Sequence, residues 1–242
     1  MNEVATRGST EVGGVATNYF QSYGDQVSQR SIVGDLLKFS KGDFLCGEDE
    51  REIKEGTKFV ANMDELMVGW IRWEDNKPSD QIMGRVVDGY QPQRRNELGD
   101  NDKTLWEVDS QGKERDPWQF SNYLILKDPD GEELYTFATS SRGGLNAIGE
   151  LCKGYGKAMR QRPDEYPVVE LGVGSYQHSN KEFGRIKFPI LKIVDWASKV
   201  EFAQALAADA GGSETVDEPE AAAAPAAKSG KGAKAPAAAT RF

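Results

Sequence analysis

The chain has 242 residues, a net charge of −9, 38% apolar and 29% charged side chains. No run approaches the roughly 18 apolar residues that a spanning helix needs, and Met1 to Gly14 lacks the apolar stretch of a secretory signal. Two distant cysteines, Cys46 and Cys152, make neither a disulfide framework nor a clustered zinc site; free thiols and a cytoplasmic setting are expected.

Residues 1–30 are Gly-, Thr-, Ser- and Gln-rich and predict a mobile arm, with Tyr19, Phe20 and Tyr23 able to dock. Ile32 to Phe39 is a short apolar segment, and Gly47 to Glu55 reads as a charged loop. Thr57 to Ala61 is rich in β-formers. Leu66 to Trp73 places large apolar groups on both parities, the pattern of a strand covered on both faces. Asn76-Lys77-Pro78 is a turn signal, followed by a strand over Gln81 to Val87.

Residues 88–117 form a polar insertion, with a small hairpin expected about Ser110-Gln111-Gly112. Gln119 to Lys127 and Leu134 to Thr139 flank Asp128-Pro129-Asp130-Gly131, so they predict an antiparallel hairpin. Ser140 or Ser141 can cap a helix from about Gly143 to Met159, whose apolar stripe is Leu145, Ile148, Leu151, Cys152, Tyr155 and Met159. Its five glycines each weaken it by roughly 1 kcal/mol relative to Ala, so it depends on packing. Pro167 to Val173 and Gly184 to Trp196 are the last strands, and Pro189 implies an edge or a bulge. From residue 201 the composition turns to Ala, Pro, Lys and acids, which predicts a disordered tail to 242, with Ala203–Ala210 at most a short helix.

The expected fold is therefore mostly β: an OB-like antiparallel barrel over 31–200, with one helix between core strands and the insertion at 88–117. Asp116-Pro117-Trp118-Gln119, Tyr135-Thr136-Phe137-Ala138-Thr139-Ser140-Ser141 and Gly143-Gly144 resemble uncharacterised phage and prophage proteins. The layout with its tail resembles phage-type single-stranded DNA-binding proteins. That resemblance implies a non-catalytic protein without cofactor, with single-stranded DNA as partner, in replication or recombination alongside the proteins of those processes. Homo-oligomerisation is left open. Such binders end in an acidic tail; here Glu214, Asp217, Glu218 and Glu220 are followed by Lys228, Lys231, Lys234 and Arg241.

Single-strand binders need aromatic faces for bases and basic groups for phosphates. Asp43 to Ser141 holds 23 acidic and 12 basic residues, whereas Arg142 to Val200 holds 6 acidic and 10 basic. The candidate contacts are Trp106 and Trp118 in the insertion, Arg142, Lys153, Lys157 and Arg160 on or after the helix, and Arg185 and Lys187 on the last strand. Arg185 and Lys187 share a parity, so they are expected to face out while Ile186 and Phe188 face the core. The single histidine, His178, reads as a turn residue.

Two other functions fit the residues. A protein-interaction or accessory structural module suits the acidic half and the long insertion. A metal-dependent nuclease would use the acidic group Asp100, Asp102, Glu107 and Asp109; a solvated loop explains the same residues. Ser140-Ser141-Arg142-Gly143-Gly144 lacks the Walker spacing and reads as a strand-to-helix turn.

Overall fold

The computed structural model describes residues 32–108, 112–181 and 184–212. The expected arm, the tip of the insertion hairpin and the chain beyond 212 lie outside the described residues. The fold is mostly β, and its main sheet curls strongly into a half-barrel.

The sheet begins with β1 (Asp35–Ser40), β2 (Asp43–Cys46) and β3 (Arg51–Ile53), paired antiparallel in that order. Next come the long β4 (Lys58–Glu74) and β5 (Lys77–Arg85), joined at Asp75-Asn76. Both turn residues have positive φ, 51° and 61°, the conformation of a tight type I′ hairpin. Within the insertion, β6 (Glu107–Val108) pairs only with β7 (Glu114–Arg115). Then follow β8 (Trp118–Lys127), β9 (Leu134–Thr139), β10 (Glu165–Gln177) and β11 (Arg185–Ser198). The strand order is β11-β10-β4-β8-β9-β1-β2-β3, with β5 pairing β4 off this path. β11 is thus the edge on which Pro189 can sit without breaking a ladder.

A kink lets β4 serve two neighbours. Its register on β8 jumps from Asn62↔Ile125 to Met67↔Tyr123. The Asn62 side chain accepts from the N–H groups of Asp64 and Glu65, both at 3.2 Å, and so holds the bulge. Before the bulge β4 pairs with β10 through Lys58–Val60; after it, with β5. Met63 and Leu66, inside the bulge, are buried. Strands bend at such places because the extra residues leave the ladder.

One pairing is parallel. β1 lies along β9 with Asp35 beside Tyr135. The Thr136 hydroxyl donates to the Val33 carbonyl and accepts the Val33 N–H, both at 2.8 Å.

The helix expected after β9 is α1 (Arg142–Ala158). Ser141 is its cap, its Oγ accepting from the Gly144 N–H at 3.1 Å. Ala147, Ile148, Leu151 and Tyr155 bury its apolar stripe against the sheet, in a core with Leu37, Phe44, Leu124, Phe137 and Leu171. Two of its glycines are required by close approach. A Cβ on Gly144 would lie 1.9 Å from Thr139 Oγ1, and one on Gly143 would lie 2.9 Å from Phe188 Cβ.

Two expectations change. Gly47 to Glu55 is not all loop: Arg51–Ile53 forms β3 at the sheet end, where a polar sequence suffices because only one edge is paired. A second helix, α2 (Lys199–Gly212), also follows β11. It begins before Ala203 because Phe202 enters the core, 1% exposed, with its ring 5.5 Å from Tyr166 in an edge-to-face contact. Asp64 completes the seat, accepting from Tyr166 Oη at 2.9 Å and Lys199 Nζ at 2.8 Å. Among the described residues no helix is long and apolar enough to cross a membrane.

Candidate functional site

The β10–β11 hairpin carries a file of three rings. Phe188 stands opposite Gly174, and a Cβ there would lie 2.3 Å from Phe188 Cζ; the missing side chain is what lets the ring lie flat across the hairpin. The Tyr176 ring is 6.2 Å from Phe188, and the His178 ring is 6.5 Å beyond it. Tyr176 is 51% exposed; Phe188 and His178 are half-buried. The rings follow the strand because residues 174 and 176 share a face and each opposes an even-numbered residue of β11.

Arg185 and Lys187 are exposed, as expected, and Ile186 and Phe188 are half-buried, but the latter two do not share the face of the buried Pro189 and Leu191. Leu191 and Pro189, which are buried, share the parity of Arg185 and Lys187. Ile186 and Phe188 are on the other, partly exposed face. The sequence pattern misled because β11 switches faces: between Ile193 and Asp195 the register on β10 skips Val194, so Trp196 rejoins the inner side and stacks on Tyr155 at 6.3 Å.

The eight expected contact residues do not converge. Arg142, Lys153, Lys157 and Arg160 are exposed along α1 and its exit. Arg142 precedes Gly143, whose backbone approaches Phe188 Cβ. Lys153 is paired with Glu150 at 2.6 Å. Arg185 is exposed beside Ile186, near the hairpin end. Lys187 instead lies on the inner parity: its stem crosses Gly42, and its Nζ is 4.0 Å from Asp43. There it borders a cavity of about 310 Å³ lined by Gly42, Asp43, Phe44, Glu52, Ile53, Glu55, Val173 and Ser175.

The two tryptophans are elsewhere. Trp118 is 5% exposed and donates from Nε1 to Asp100 Oδ2 at 2.9 Å, so it offers no free face for a base. Trp106 donates to the Asp100 carbonyl at 2.7 Å, and its ring already has the Arg95 guanidinium 5.7 Å and the Lys103 ammonium 5.6 Å from its centroid. The insertion is organised, not loose. Arg95 holds both oxygens of Asp116 and the carbonyls of Gly99 and Asp100. Trp70 reaches the Gln93 carbonyl at 2.9 Å.

Its acids have structural partners. Asp100 accepts from Arg72 Nε at 2.8 Å, and that hydrogen bond, opposed by partial burial and aided by Trp118, holds the carboxyl below its usual range. Asp102 caps the turn at Thr104, and Glu107 accepts the Asp75 N–H. Asp109 lies outside the described residues. Among the described residues no group of three His, Cys, Asp or Glu side chains could hold a metal ion. At the start of α1, the Gly144 N–H that an anion would use is taken by Ser141.

Compared with known proteins, the chain matches no described family, no curated protein and no solved structure.

Tyr176, Phe188 and His178 escaped the sequence reading. The usable signal was the Gly172–Gly174 alternation opposite large residues, which marks a strand face with room for rings to lie across it.

Proposed function

We propose that the chain binds single-stranded DNA with little sequence preference, in phage replication or recombination, through an OB-like barrel. The observation that supports this is the ring file Phe188–Tyr176–His178, with Tyr176 exposed, on a chain where Arg142 and Arg185 are exposed and form no ion pair among the described residues. Every base has a π-face, so stacked rings bind any sequence, while the cations meet the backbone. Of the tryptophans and basic residues singled out from the sequence, Arg142 and Arg185 keep this role, Lys157 and Arg160 are exposed on and after α1, and Trp118 leaves the interface. The net charge of −9 limits non-specific attraction, so affinity rests on stacking more than on a basic coat.

The test is a titration of a labelled thirty-nucleotide strand, followed by anisotropy at two salt concentrations. Binding that weakens with salt, and that drops on Tyr176→Ala, supports the proposal. No binding to the unaltered protein at low salt ends it.

A second function has an observation of its own. Val86, Val87, Leu105 and Val108 are exposed in and beside the insertion, an excess of apolar surface that suits protein docking. Capture of a defined protein in nuclease-treated extract, with no oligonucleotide binding, would favour it.

A further inference from the structure

The three rings on the β10–β11 hairpin are spaced unlike bases in a stack. Their centroids stand 6.2 Å apart from Phe188 to Tyr176 and 6.5 Å apart from Tyr176 to His178, and successive planes are turned by 43° and 38°. Stacked bases follow one another at about 3.4 Å along a strand, and their planes are nearly parallel. The rings therefore repeat at nearly twice the stacked rise, with a turn at each step that a stack does not have. A strand that keeps its bases stacked can lay one base on one ring, but not the neighbouring base on the next.

This spacing is held from both ends. Phe188 lies over Gly174, where a Cβ would be 2.3 Å from its Cζ. The His178 backbone N–H donates to the Gly184 carbonyl at 3.0 Å, and its Nδ1 accepts the Asn180 N–H at 3.0 Å. Tyr176 is the middle ring and is 51% exposed. Beyond Phe188 the same face continues with Gly172 opposite Ile190 and Glu170 opposite Lys192, so no further ring follows on that side.

We propose that the file takes three successive nucleotides whose bases have parted, one base to each ring, so that its ligand is a stretched, unstacked strand. This selectivity rests on reading the hairpin as a single-strand site. It adds that a strand held in its stacked form is rejected by spacing, not by charge. Splayed bases can then each find an aromatic face.

The test uses the full chain and three strands of equal length and charge, competing against a labelled thymine strand. One is all thymine. One has its thymines joined in neighbouring pairs as cyclobutane dimers, which hold the two bases of each pair together. One is all abasic. A dimer cannot span two rings, so the dimer strand leaves one ring of the file without a base. It should bind roughly 5- to 100-fold more weakly than the thymine strand, the range for losing one stacked base. Tyr176→Ala should narrow that difference, because without the middle ring no two rings are neighbours. Equal binding of the thymine and dimer strands, or a difference that Tyr176→Ala leaves unchanged, would overturn the proposal while the single-strand site stands. An abasic strand that binds as tightly as thymine, or no binding by any strand, would remove the ring site itself and the proposal with it.

Discussion

Arg72 Nε donates to Asp100 Oδ2 at 2.8 Å across 28 residues of chain. The same oxygen accepts the indole N–H of Trp118, so one carboxylate ties the insertion to β4 and to β8.

Asp100→Ala should therefore destabilise the fold by about 1–3 kcal/mol, chiefly by orphaning a buried indole N–H. Urea unfolding measures it. Because the Asp100 pKa is lowered in the folded state, its contribution is present above the unfolded carboxyl pKa and is lost as pH falls through the folded one. The variant should accordingly show less acid sensitivity than the parent below about pH 4.

The seat of α2 should respond at the other end of the pH scale. Burial pushes the Tyr166 hydroxyl up, and its hydrogen bond to Asp64 adds to the rise. Burial alone would lower the Lys199 ammonium, but the hydrogen bond and charge of Asp64, together with Tyr155, outweigh it and the net shift is upward. Both groups are stabilising in their protonated forms. Their contribution is complete below the unfolded values, near 10, and falls as pH rises through the folded ones. Urea midpoints measured from pH 8 to 11 should decline, and Asp64→Asn should flatten that decline.

Phe202→Ala should cost about 3–5 kcal/mol, the range for emptying a buried aromatic site. A change within 1 kcal/mol would show that α2 is not part of the cooperative unit.

The helix glycines should divide by their surroundings. Gly149 and Gly156 have open space where a Cβ would be, so Gly149→Ala and Gly156→Ala should each stabilise by about 0.5–1 kcal/mol. Gly144→Ala should destabilise, since Thr139 occupies the space. Thermal unfolding of the three variants distinguishes them.

For the proposed DNA interface, Tyr176→Ala should weaken oligonucleotide binding by roughly 5- to 100-fold, the range for losing one stacked base. Arg142→Gln and Arg185→Gln should each reduce the slope of log affinity against log salt by roughly 0.7. Lys187→Gln should change that slope less, because Lys187 lies on the face opposite the rings and beside Asp43.

Local signals in the sequence identified much of the fold. Asp128-Pro129-Asp130-Gly131 marks the β8–β9 hairpin, and Asp128 Oδ1 accepts the Asp130 N–H as such a turn requires. Ser141 marks the start of α1. What stayed hidden depends on partners remote in the chain. Nothing near Asp35 announces a parallel neighbour at Tyr135. Val194 looks like one more strand residue, yet the register skips it, so Trp196 and Phe188, which share a parity in the sequence, lie on opposite faces of β11. Trp118 sits in a polar stretch, and only Asp100 folding back over it makes it a buried residue.

The parallel pairing of β1 with β9 bears on how the chain is made. Val33 bonds to Thr136, 103 residues later, so β1 to β3 leave the ribosome long before the strand that completes them. Until β9 emerges, Leu37, Phe44 and Cys46, all buried at the end, have no core to enter. Contacts this distant fold slowly and leave sticky intermediates. Yield of soluble protein should therefore depend on chaperones and synthesis rate more than the stability of the finished sheet would suggest.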